Sequence, residues 1–236
     1  MAAPVPSPSQ SSYTTPSPKK HAASSFIADC SARLHLGHVP TSTAMVLAHR
    51  YFATHAAPHS FPQHVDIGAA CIFLATKITE KPRKLRDVMN VAYCVAHNVN
   101  TPVSTGHEYS AFKERLLDAE QHVLRAIRFD MDVPLPYQHL LNLAKLLQVS
   151  RVVVQIALTL ASDLFYSARA LEYPPHVIAA SSIYLAMDLL QIPNKPIRWW
   201  HHVDTSDDDL DAIRSEFVAL YAAILPSSHI SSPPRA

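Results

Sequence analysis

The chain has 236 residues, 48% hydrophobic and 17% charged, a composition that builds a core rather than staying disordered. Three glycines against nineteen prolines exclude the tight-turn architectures, sandwiches and barrels, and a phosphate-cradling glycine loop. A formal net charge of +1 gives no global pull toward nucleic acid or an anionic membrane, and no apolar run approaches the roughly 20 residues that span a bilayer.

Residues 1–20 form a Pro/Ser-rich tail with too little apolar surface to order itself, and no apolar centre of a secretory signal. The same composition returns at 227–236. Between the two tails, apolar periodicity predicts helices near 21–36, 41–56, 62–79, 84–97, 107–128, 135–148, 151–169, 175–190 and 207–225. Pro40 ahead of Thr41, Ser60-Phe61-Pro62 and Pro174-Pro175 are start signals. Thr205-Ser206 before Asp207, Asp208 and Asp209 reads as a cap with an acidic first turn rather than a metal site. Cys30, Cys71 and Cys94 lack paired spacing and read as reduced thiols of an intracellular protein. His55, His59, His64 and the His201-His202 pair have no zinc-ligand spacing, so neither metal nor cofactor is expected.

Gly68-Ala69-Ala70-Cys71-Ile72-Phe73-Leu74-Ala75 matches Ala179-Ala180-Ser181-Ser182-Ile183-Tyr184-Leu185-Ala186 position for position. A separation of about 110 residues is too long for a solenoid repeat and implies two copies of one domain. Both segments are small or apolar nearly all round, as suits a helix packed on several sides. Each copy is therefore read as a bundle of about five helices around a central one, making the chain all-α.

Glu120 lies in the middle of an apolar stripe formed by Leu116, Leu117, Val123, Leu124 and Ile127. A carboxylate there needs a partner, because burying it alone costs several kcal/mol. Lys77 falls in the last turn of the first central helix, where the helix dipole favours a cation and its stem can lie along Leu74 and Ile78. Lys77 and Glu120 either simply pair with each other or present a charged pair to a partner.

Three pieces now fall in a known order: Leu74-Ala75-Thr76-Lys77-Ile78-Thr79-Glu80, Pro82-Arg83-Lys84-Leu85-Arg86-Asp87-Val88, and the run from Asp118 through Glu120 to Asp130. This resembles the first box of the cyclins. Pro136-Tyr137-Gln138-His139-Leu140-Leu141, Trp199-Trp200 and the closing helix through Tyr221 are similar to the second box. The likeness is to the transcription-type group of cyclins L, K, T and Q, and the short length and the Trp pair lean toward the Q kind. It implies two tandem cyclin boxes, the first at 21–131 and the second at 134–226. It also implies a non-catalytic subunit that binds and activates a cyclin-dependent kinase as a heterodimer. The resemblance places the protein in the nucleus and leaves the cytoplasm open. Lys77 and Glu120 would then grip the kinase's regulatory helix, with Leu74, Ile78, Leu124, Phe129 and Met131 as apolar contacts. The rival reading is a DNA-binding factor of the transcription factor IIB type, which also has two such folds but needs a basic stripe.

Departures from the family matter too. Ala23-Ser24-Ser25-Phe26-Ile27 stands where mitotic cyclins carry a Met-Arg-Ala-Ile-Leu substrate-docking motif, so that docking patch is not expected. Thr79 replaces an acid found in many relatives, and Asp188 occupies the place in the second copy that matches Lys77. The basic run Lys81 to Arg86 reads as a solvated helix start or as a face toward the kinase or a phosphate. Ser17-Pro18-Lys19-Lys20 matches the preference of cyclin-dependent kinases, which makes Ser17 a candidate phosphorylation site.

Overall fold

The structure, a computed structural model, describes residues 18–54, 61–103, 106–192 and 198–224. Among these residues it is all helix and turn. The first half holds α1 (Pro18–Arg33), α2 (His38–Thr54), α3 (Phe61–Ile78), α4 (Leu85–His97) and α5 (His107–Ala126). The second half holds α6 (Tyr137–Leu147), α7 (Arg151–Asp163), α8 (Pro175–Leu189) and α9 (Asp207–Ile224). A 3-10 turn, Trp199–Val203, stands in chain order where the first half has α4.

The two matched segments lie at the centres of α3 and α8, as their composition requires. Ala69, Ala70, Cys71 and Ile72 are fully buried in α3, as are Ala179, Ala180 and Ile183 in α8. α3 packs on α1, α2, α4 and α5, while α8 packs on α6, α7 and α9. Gly68 is needed for the closest approach, since a Cβ there would come within 2.7 Å of the Phe26 ring. The matched position in α8 is Ala179, which has room for its methyl.

Two boundaries differ from the periodicity. α1 opens at Pro18, a residue pre-set for the first helical turn, rather than at 21. α7 stops at Asp163, and the chain tightens into two 3-10 turns, Leu164–Tyr166 and Ala168–Glu172. Tightening frees backbone carbonyls that a continuous α-helix would use internally. The first half takes them up. Buried His49 of α2 donates from Nε2 to the Phe165 carbonyl at 2.8 Å, and Ser24 of α1 donates to the Tyr166 carbonyl at 3.3 Å. A second seam contact joins Ser42 Oγ to Tyr137 Oη at 2.6 Å, with Ser162 Oγ 3.0 Å beyond. One apolar core runs through both halves, from Ile27 and Leu47 to Leu164, Phe165 and Ile183. The segment from Ala23 to Ile27 is thus spent on packing, with Ala23, Ser24 and Ile27 buried.

Candidate functional site

α3 and α5 cross so that the last turn of one meets the C-terminal half of the other. Lys77 Nζ lies 2.6 Å from Glu120 Oε1. The two side chains are not equally hidden: Glu120 is 12% exposed and Lys77 46%. Apolar burial of Leu116, Ala119 and Val123 turns the Glu120 face of α5 inward, and the carboxylate is compensated by the Lys77 ammonium. Lys77 Nζ also sits 3.9 Å above the Phe73 ring centroid, one turn back on α3. Phe73 was absent from the expected set. Its i, i+4 spacing to Lys77 is the signal that finds it.

The pair is thereby fixed in orientation but only half covered. No second side-chain hydrogen bond to Glu120 or from Lys77 occurs among the described residues, and Lys77 remains 46% exposed. A fixed acceptor next to a fixed donor can take one N–H and one C=O of an approaching backbone segment.

The apolar candidates divide by depth. Leu74 is 4% exposed and supports the site from beneath instead of offering a contact face. Ile78 and Leu124 are partly buried against the core and partly open. Phe129 is 63% exposed and Met131 44%, so neither is spent on core packing. Leu117, expected within the buried stripe, is instead at the surface.

Phe129 is held outward by its backbone. α5 ends with Arg128 and Phe129 both left-handed, at φ 55° and 58°. The Phe129 N–H closes the helix end on the Leu124 carbonyl at 2.9 Å, and the Arg128 N–H bonds the Arg125 carbonyl at 3.0 Å. Two consecutive non-glycine residues in that region cost about 1–3 kcal/mol each, a strain typical of functional surfaces. Arg50 of α2 ties down the next residue, donating to the Asp130 carbonyl at 3.3 Å. Phe129 thus stands on an anchored, strained corner at the end of the helix that carries Glu120.

The other candidates have other duties or lie elsewhere. Ser17 is outside the described residues. Asp207 accepts from Trp200 Nε1 at 2.8 Å and from Arg198 at 2.7 Å, and the Trp200 hydrogen bond leads in holding its carboxyl below the usual range. Asp209 and Ser206 cap α9 reciprocally, with Ser206 N–H on Asp209 Oδ2 at 3.0 Å and Asp209 N–H on Ser206 Oγ at 3.1 Å. Arg83 donates to the Leu34 carbonyl at 3.4 Å, which fixes part of the basic run to the α1 end. Burial pushes the Cys30 and Cys71 thiols far above the ordinary range, so both are inert packing groups.

Comparison with known proteins decides what this architecture is. The cyclin N-terminal domain matches residues 5–132, and the cyclin C-terminal domain matches residues 134–231. The chain belongs to the cyclin family. This cyclin is 30% identical to cyclin-T1-4 of Arabidopsis thaliana, over 87% of the chain and 39% of that relative. It is 31% identical to human cyclin-K, over 84% of the chain and 35% of the relative. It therefore spans less than half the length of these curated relatives, which are transcription-type cyclins as the sequence motifs implied. Among solved structures, a chain of the yeast RNA polymerase II CTD kinase CTDK-1 complex superposes with a TM-score of 0.71 at 20% identity. That match covers 86% of this cyclin and 65% of that chain. A viral cyclin from herpesvirus saimiri gives a TM-score of 0.67 at 15% identity, covering 87% and 85%. Both likenesses are of fold.

Proposed function

We propose that this cyclin is the regulatory, non-catalytic subunit of a transcription-associated cyclin-dependent kinase, acting in the nucleus. The observation that carries the reading is the Lys77–Glu120 pair, oriented from below by Phe73 with Lys77 left half open, together with the exposed Phe129 and Met131 just past the end of α5. A pair meant only for stability gains little from such exposure, since surface ion pairs contribute about 0–1 kcal/mol. As a docking centre it has the right parts: exposed aromatic and thioether anchors, and a partly desolvated charged pair that fixes register.

Activation then needs no chemistry from this chain. A kinase is active when a Glu on its regulatory helix pairs with the Lys that holds the ATP phosphates. Lys77 and Glu120 would bond the backbone of that helix in its inward position, with Ile78, Leu124, Phe129 and Met131 closing around it. Because the grip exists only in the inward position, binding shifts the helix equilibrium by the difference in affinity. The relatives named cyclin-T and cyclin-K, and the fold shared with a chain of an RNA polymerase II CTD kinase complex, support a kinase of the transcription class. Ser17, in its Ser-Pro-x-Lys setting, is proposed as a site that the partner kinase phosphorylates.

The test is reconstitution of the full chain with cyclin-dependent kinases of the transcription class, read as complex formation and as phosphate transfer to an RNA polymerase II tail peptide. A stable complex with raised activity is expected. A chain that binds none of them, and instead retains duplex DNA at physiological salt, would overturn the reading.

A further inference from the structure

The second half repeats the geometry of the first site with the charges exchanged. Asp188 of α8 occupies the position that matches Lys77 of α3, and Tyr184 matches Phe73. Across from Asp188, on the last long helix of its own half, stands Arg214, with Nη2 2.6 Å from Asp188 Oδ2. The guanidinium lies over the Tyr184 ring at 5.9 Å, as the Lys77 ammonium lies over Phe73. The helix ends agree as well. Glu80 and Gln191 are both left-handed, and the Lys81 and Ile192 N–H groups reach back to the Thr76 and Met187 carbonyls at 2.9 and 3.0 Å. A central helix, an aromatic under a cation, and an ion pair to the closing helix thus occur twice.

What flanks the second pair is more exposed than what flanks the first. Leu189, adjoining Asp188, is 66% exposed, and Val218, one turn beyond Arg214 on α9, is 65% exposed. Leu189 directly follows Asp188 and Val218 lies one turn after Arg214, so each apolar side chain stands within a turn, along its own helix, of one partner of the pair. Stability explains neither feature: the pair is half in water, and each apolar group forgoes its burial. Apolar groups clustered around a fixed polar pair are the mark of an interaction surface. Its sign is acidic. Arg214 is already paired with Asp188, and exposed Asp211, three residues before Arg214 and seven before Val218 on the same face of α9, adds a carboxylate with no ion pair among the described residues, whereas Asp207, Asp209 and Glu216 are held by Arg198, Ser206 and Arg169.

We propose that the surface of Asp188, Arg214, Leu189 and Val218 is a second docking site, which takes an amphipathic helix of a partner protein carrying a Lys or Arg among apolar residues. The basic side chain pairs with Asp188, and the apolar face covers Leu189 and Val218. The idea of docking is borrowed from the first-box reading, but the residues are separate, so the two can fail separately.

The experiment is selection of a phage-displayed library of helical peptides against the full chain, followed by affinity measurement on variants. Asp188→Lys and Leu189→Glu change exposed positions, and circular dichroism confirms that each remains helical. Peptides enriched in Lys or Arg at i, i+4 spacing from Leu or Phe are expected. Their affinity should fall tenfold or more in both variants and stay within twofold in Lys77→Glu. Enrichment of acidic peptides, no enrichment, or binding indifferent to Asp188→Lys would overturn the proposal. Peptides lost only in Lys77→Glu would assign docking to the first box alone, and would sink this inference while leaving the first reading standing.

Discussion

The two boxes share a backbone plan and differ in what they place at one corner of it. In the first, Lys77 reaches an almost buried Glu120; in the second, Asp188 meets Arg214 with both partners half in water. The first box then runs on into a strained turn that lifts Phe129 out, whereas α9 continues straight past Arg214 to Ile224. Duplication has therefore kept what packing needs, the small-residue central helix, and let the polar corner diverge. Divergence at this corner, over a common central helix, is what different partners for the two surfaces would require.

The largest expected effect is at the first corner. Lys77→Glu places a like charge against Glu120 and removes the donor, so kinase affinity should fall thirtyfold or more, about 2 kcal/mol. Surface plasmon resonance with the purified kinase reads this directly, and an unchanged circular dichroism melt shows that the fold is intact. A mutant that binds normally, or that unfolds, would make the pair structural.

Next comes the packing the boxes share. Gly68→Ala forces a methyl into the Phe26 ring and should cost about 1–3 kcal/mol. The converse, Ala179→Gly, creates no clash and should cost about 1 kcal/mol from helix propensity alone. Urea melts of the two variants compare the central helices without touching either corner. A Gly68→Ala chain as stable as the wild type would mean that α1 does not lie as close on α3 as described.

Phe129→Gly separates stability from docking. Glycine adopts the left-handed corner freely, so the melting temperature should hold or rise, while kinase affinity drops severalfold for loss of the ring. Loss of stability with unchanged affinity would return Phe129 to the core. The smallest effect is at the α9 cap, which has no counterpart at α5, where Gly106 offers no side chain. Asp209→Asn should cost about 0.5–1 kcal/mol. The Ser206 hydroxyl and backbone hydrogen bonds hold the Asp209 carboxyl below its ordinary value. Its contribution is thus complete above the usual carboxylate range and is lost as pH falls through the lowered value. The Asn variant should lose less stability on acidification, measured by urea melts stepped from pH 7 down through the lowered value.

Much of this was legible in the sequence because its physical cause is local. The all-round apolar helices, the duplication and the α9 cap follow from residue spacing over a few turns. Lys77 and Glu120 were legible because a charge within an apolar stripe demands a partner. The seam was not. His49 and Ser24 look like ordinary polar positions on their helices, and only the early end of α7 exposes the Phe165 and Tyr166 carbonyls they take up. Nor does any pattern show that Phe129 turns outward, because its exposure comes from two left-handed residues with no glycine to signal them. Arg214 opposite Asp188 was missed for a third reason: the closing helices diverge too far to align by eye, and the pairing emerges only once α8 and α9 are side by side.

One titration tests the central claim most directly. Kinase activity is measured against increasing concentrations of the wild-type chain, of Lys77→Ala combined with Glu120→Ala, and of Asp188→Ala, each checked for an unchanged melt. The account predicts that the first-box double variant abolishes activation while Asp188→Ala follows the wild-type curve. Equal losses from the two boxes, or a larger loss from Asp188→Ala, would contradict it.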